Sequence, residues 1–108
     1  MDAFELADLE SRRIGVGVPW LEFLRSSDLS VGLYALPIGA VDDQSPHTED
    51  EVYVVMGGRA SIRVGDEDRP VRSGSVVFVG ARVDHHFHDI EEALSVLVVF
   101  APPEGRRG

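Results

Sequence analysis

An all-β sandwich or barrel with one short helix at its N-terminus is the fold this sequence predicts. Three observations carry the prediction. From Pro19 onward the chain is cut into short runs rich in Val, Phe and Tyr, each ended by Gly or Pro. No second helical pattern falls between those runs, which argues against alternating βαβ units. With 108 residues, 44% of them hydrophobic, the chain suffices for one domain with a buried core.

Residues 2–13 place Phe4, Leu6 and Leu9 among acids and alanines, with Arg12 and Arg13 late, as a helix dipole prefers. Gly15 and Gly17 end this helix, so residues 1–17 form an N-terminal helical extension. Trp20–Leu24 is the first extended run, and Leu29–Leu36 the second, closed by Pro37 and Gly39. Val52–Met56 is the third, ended by Gly57 and Gly58, and Ala60–Val64 follows, with a turn over 65–68. A short piece around Val71 leads to Gly74, then come Ser75–Val79, Val83–Ile90 and Ala93–Phe100. The barrel thus spans residues 18–100, and the Pro/Gly/Arg-rich residues 101–108 read as a flexible tail. The apolar segment from Val18 to Leu24, with Trp20 and Phe23, suits pairing with a second copy, so a homodimer is expected.

Charge and composition exclude several functions. Nineteen acids against ten bases give a formal charge of −9 and leave no basic stripe, so nucleic acid is not an expected partner. The absence of cysteine removes disulfides, thiolate metal sites and thiol nucleophiles. The acidic N-terminus lacks the basic-then-apolar order of a signal peptide, and no apolar run reaches the roughly 18 residues of a membrane span. A soluble cytoplasmic protein without a membrane partner is expected.

All four histidines lie in two segments, S-P-H-T-E-D-E over 45–51 and D-H-H-F-H over 84–88, each leading into a hydrophobic run. Strand alternation puts Val83, His85 and Phe87 on one side and Asp84, His86, His88 and Ile90 on the other. The first set is the more apolar, which turns His85 inward and leaves His86 and His88 as a solvated pair. Glu51 opens an apolar strand, where a carboxylate is costly unless paired or bound to a cation. Glu49 and Asp50 have no such constraint and read as loop charges. His47, Glu51 and His85 would together offer two imidazoles and a carboxylate, an open site for a divalent first-row metal (Fe, Mn, Zn or Ni). A closed structural zinc site would more often use four ligands, commonly thiolates. Ser45 beside His47 is no catalytic triad, since both sit on one strand without a nucleophile elbow.

These residues resemble the two motifs of the cupin superfamily, small double-stranded β-barrels of the jelly-roll type. The first motif matches at Gly39, His47, Glu51 and Gly58; the second at Gly74 and His85, with Gly80-Ala81-Arg82 where the family has Pro-x-Gly and Asp89 where it has asparagine. The resemblance covers residues 29–100. Ser45 occupies the place of the family's first histidine, so the family's ligand set is reduced to His47, Glu51 and His85, with Gln44 or Ser45 as a possible further ligand. Arg82 stands where the family has glycine, either at the barrel mouth facing an anionic ligand or as an exposed turn residue. Small cupins include dioxygenases, isomerases and decarboxylases. The resemblance therefore implies a metal-dependent oxidoreductase or isomerase acting on a small oxygen-bearing metabolite, or a non-catalytic cupin that binds a small molecule or metal alone. Tyr53, two residues after Glu51 and on its face, is the candidate catalytic donor or acid/base, with a core residue of high β propensity as the other reading.

Overall fold

The computed structural model describes residues 1–44 and 46–105; Ser45, one of the proposed extra ligands, lies outside the described residues. Helix α1 (Leu6–Val16) is followed by six strands: β1 (Trp20–Arg25), β2 (Ser30–Leu36), β3 (Asp50–Val64), β4 (Glu67–Arg72), β5 (Val76–Val79) and β6 (His85–Ala101). All pairings are antiparallel, in the order β1-β2-β6-β3-β4, with β5 also paired to β3. Among the described residues no helix is long and apolar enough to cross a membrane. Gly17 caps α1 with φ 78, its N–H returning to the Arg13 and Ile14 carbonyls. Only Leu9 of the helix is buried, so α1 lies on the body of the barrel rather than in it.

β3 and β6 are the backbone of the barrel, and they differ from the four shorter strands the sequence suggested in their place. Each runs through its expected break, because a bulge lets a strand bend without ending. In β3 the break is Gly57-Gly58: Glu51, Tyr53 and Val55 are buried before it, Ala60 and Ile62 after it, a change of parity. Gly58 sits at φ 92, and a Cβ there would run into the Ala93 carbonyl of β6. β6 likewise continues across the gap expected between Ile90 and Ala93, and its irregularity falls at Asp89, at φ 49, a left-handed conformation that Asp and Asn tolerate better than most residues. The same shift corrects one expectation: Ile90 was placed outward with His86 and His88, but it is buried, since alternation restarts after Asp89.

The ladder between β3 and β6 pairs Glu51 with Phe100 at one end and Val64 with His85 at the other. A straight β3 would separate those ends by about 40 Å. The side chains of Glu51 and His85 nevertheless touch, at 2.8 Å. Only a sheet curled into a barrel brings them together. Inside it pack Tyr53, Val55, Ile62, Phe87, Leu94, Val96, Val98 and Phe100.

Residues 102–105, expected to belong to a flexible tail beginning at 101, form a docked strap, and Ala101 itself closes β6. Pro103 is fully buried. Glu104 donates its N–H to Ser30 Oγ (2.9 Å) and Gly105 donates to Glu49 Oε2 (3.1 Å). Glu49 is therefore not a loop charge: it is 2% exposed and anchors the strap, with Thr48 Oγ1 as its second donor.

Candidate metal centre

His47 comes from the loop before β3, Glu51 from the first turn of the strand ladder, and His85 from the first residue of β6. The loop is pinned to the turn before β6 by two backbone donors. Arg82 N–H reaches the His47 carbonyl (2.6 Å) and Ala81 N–H reaches Asp50 Oδ1 (2.9 Å). Arg82 adopts φ 66 at the position where the family pattern has glycine, and its side chain is exposed. It does not line the pocket below.

One potential ligand atom from each of His47, Glu51 and His85 lies within 4.8 Å of the others. The His85 ring is oriented by its Nδ1–H, which donates to the Val83 carbonyl at 2.8 Å. That bond fixes the neutral tautomer and leaves the Nε2 lone pair facing inward. Nε2 stands 2.8 Å from Glu51 Oε1, yet neither it nor either Glu51 oxygen has a hydrogen-bond partner among the described residues. The separation is that of an ion pair, but the directions are not, and direction decides whether a proton is shared. Two acceptors so close repel unless a cation joins them. His85 reflects this: burial lowers its affinity for a proton, but the Glu51 carboxylate, the Val83 carbonyl and Asp42 outweigh burial and raise it above the ordinary value. Three buried acceptors without hydrogen-bond partners fit a metal ion, which takes lone pairs without needing N–H directions.

Behind the ligands lies a polar layer. Asp42, buried, accepts from Tyr34 Oη (2.8 Å), Gln44 Nε2 (2.7 Å) and Phe87 N–H (2.8 Å). With its amide nitrogen held there, Gln44 must aim Oε1 at the cavity, where it lies 3.0 Å from His47 Nε2 and 3.5 Å from Tyr53 Oη. Tyr53 is fully buried; burial first, then Glu51 and Asp42, pushes its phenol far above the ordinary range, so it is a neutral donor. Tyr34 is raised likewise, by burial and by its bond to Asp42. His86 and His88 stay on the outer face, with His88 between Asp68 and Asp89, both at 2.9 Å.

The cavity beside these groups holds about 170 Å³ and is lined on its apolar side by Trp20, Val98 and Phe100. Drug-sized ligand pockets begin near ~300 Å³, so only a small molecule fits. Trp20 takes its place because β2 has glycine at 32: a Cβ there would run into the indole ring. The sequence reading missed Asp42, Glu49, Trp20 as a pocket wall, and Glu104, whose Oε2 lies 3.7 Å from His47 Nδ1. No sequence pattern marks Asp42; Glu104 carried one weak sign, an acid placed just after the strand that ends beside Glu51.

A single antiparallel β-barrel with imidazole and carboxylate groups gathered in its mouth defines a cupin, and the chain belongs to the cupin family: residues 32–100 match the Cupin domain. It is 55% identical over 104 residues to the uncharacterized protein SCO3923 of Streptomyces coelicolor, covering 96% of this chain and 99% of that one. Among solved structures it resembles TT1209 from Thermus thermophilus, with a TM-score of 0.77, 27% identity, and coverage of 95% of this chain and 99% of that one. An RmlC-like cupin of Methanocaldococcus jannaschii with a double-stranded β-helix fold gives a TM-score of 0.69 at 18% identity, covering 77% of this chain and 78% of that one, a likeness of fold alone.

Proposed function

We propose that this cupin holds a divalent first-row metal on His47, Glu51 and His85 and uses it to bind and transform a small oxygen-bearing metabolite, as a dioxygenase or isomerase would. The observation that carries the reading is the set of buried acceptors without hydrogen-bond partners on Glu51 and His85. A bound metal would supply Lewis acidity and exchangeable positions for an oxygen ligand. Gln44 Oε1 is the further oxygen donor on hand. Tyr53 donates a hydrogen bond from its neutral phenol, and Trp20, Val98 and Phe100 keep bulk water out. A second reading, a binding module without turnover, is favoured by the His47 Nε2 contact to Gln44 Oε1 (3.0 Å), which engages one of the two imidazole nitrogens.

Elemental analysis of protein purified without added metal tests the site. Near-stoichiometric metal is expected in the wild type, with affinity at least about hundredfold weaker in Glu51→Ala and His85→Ala. Equal affinity in all three would overturn the reading. Oxygen uptake and product analysis across small diols and phenols then separate enzyme from binding module.

A further inference from the structure

The metal-binding group does not account for the whole of the pocket lining. Beside His47, Glu104 projects from the strap that follows β6. Its backbone is fixed on both sides: its N–H donates to Ser30 Oγ (2.9 Å), its carbonyl accepts from Arg25 (2.6 Å), and Gly105 N–H is held by Glu49 (3.1 Å). A side chain hung from so constrained a backbone points where the strap aims it, and Glu104 lines the cavity together with Trp20, Phe100, His47 and Glu51. Its carboxylate approaches His47 Nδ1 only to 3.7 Å, beyond hydrogen-bond reach, so the oxygens remain available to a ligand.

The charges around that cavity are one-sided. Glu51 and Glu104 line it, and among the described residues no arginine does. The chain has no lysine to lend. Arg25 is turned away, with its guanidinium on Glu22 (3.0 and 3.1 Å) and the Glu104 carbonyl. Arg82 is exposed and outside the lining. A divalent ion would balance the two carboxylates and leave nothing over for a second anion. A pocket built for carboxylates or phosphates carries the opposite equipment, a fork of arginine donors.

We propose that Glu104 is a specificity-determining residue: it accepts a hydrogen bond from a hydroxyl or amino group of the ligand and excludes carboxylates and phosphates. The substrate class is therefore a small polyol or amino alcohol, not an acid. This rests on the metal-centre reading only in taking the same cavity as the ligand site.

Trp20 is the sole tryptophan and a wall of the cavity, so its fluorescence reports entry of a ligand with or without metal. Wild-type protein, metal-free and zinc-loaded, is titrated with 2-aminoethanol and with glycolate. The expected result is that 2-aminoethanol binds at least about tenfold more tightly, and that Glu104→Gln narrows the gap by about tenfold. Glu104→Asp, which keeps the charge, retains the preference. An unchanged gap in Glu104→Gln, tighter glycolate binding by the wild type, or equal loss in both variants overturns the proposal. Zinc uptake, followed in the same samples, separates the two readings. Wild-type protein that takes up no zinc yet discriminates without metal refutes the metal centre and leaves Glu104 in its role.

Discussion

Glu49 and Glu51 stand two residues apart and are 2% and 1% exposed, yet the first accepts hydrogen bonds from Gly105 and Thr48 while the second accepts none among the described residues. Asp42, also buried, resembles Glu49, with three donors around it. A buried carboxylate surrounded by donors holds a structure together; one left without donors is held by that structure for another purpose. The comparison separates scaffold from site by counting donors rather than by burial, which is the same for both.

If that distinction holds, the two acids respond oppositely to neutralisation in metal-free protein. Glu49→Ala strands the Gly105 N–H and frees the strap, and should lower unfolding stability by about 1–3 kcal/mol in denaturant titrations. Glu51→Gln removes an uncompensated charge and should leave stability unchanged or higher. A large loss in Glu51→Gln would make Glu51 a structural partner of His85 and erase the difference. A smaller effect belongs to the pocket wall formed by Trp20. Gly32→Ala pushes the Trp20 indole off β2, at a cost of about 1 kcal/mol because the ring is only half-buried and can swing. A shifted Trp20 emission maximum should accompany it, and an unmoved maximum would remove Gly32 from the pocket's design.

The smallest effect lies on the outer face, where His88 meets Asp68 and Asp89 in water. Those bonds raise His88 above its ordinary value, chiefly through Asp68, with burial opposing them. A histidine raised by folding contributes fully below its unfolded pKa, near 6.5, and that contribution fades as pH climbs through the folded value. His88→Gln should therefore lower the melting temperature slightly at pH 6 and by less at pH 8, within the few tenths of a kcal/mol of exposed pairs. Equal shifts at both pH values would mean that the pair adds nothing.

How much of this could be read from the chain depends on the range of the contacts involved. His47, Glu51 and His85 were recoverable because motif spacing and strand alternation are local, and alternation turned His85 inward correctly. Alternation failed at Ile90 for a reason equally local but unmarked: one left-handed residue, Asp89, resets the face of everything after it. Gly57-Gly58 read as a strand end because a glycine pair looks the same in a turn and in a bulge. Glu49 and Glu104 were misjudged together, since each is explained by the other's segment: Glu49 is buried because the strap covers it, and the strap is ordered because Glu49 holds it. Asp42 depends on Tyr34, Gln44 and Phe87, a set that only the finished barrel brings together.

The pairing of β2 with β6 has a consequence for biosynthesis. Ser30 to Leu36 can form a hairpin with β1 early, but the opposite edge of β2 stays bare until Leu94 to Phe100 have been translated. One edge of the first half of β3 can pair with β5 beforehand, but its other edge waits for that same stretch. Closure is thus a late event dominated by distant pairings, which fold slowly. The group formed by His47, Glu51 and His85 is therefore completed only after those residues emerge from the ribosome.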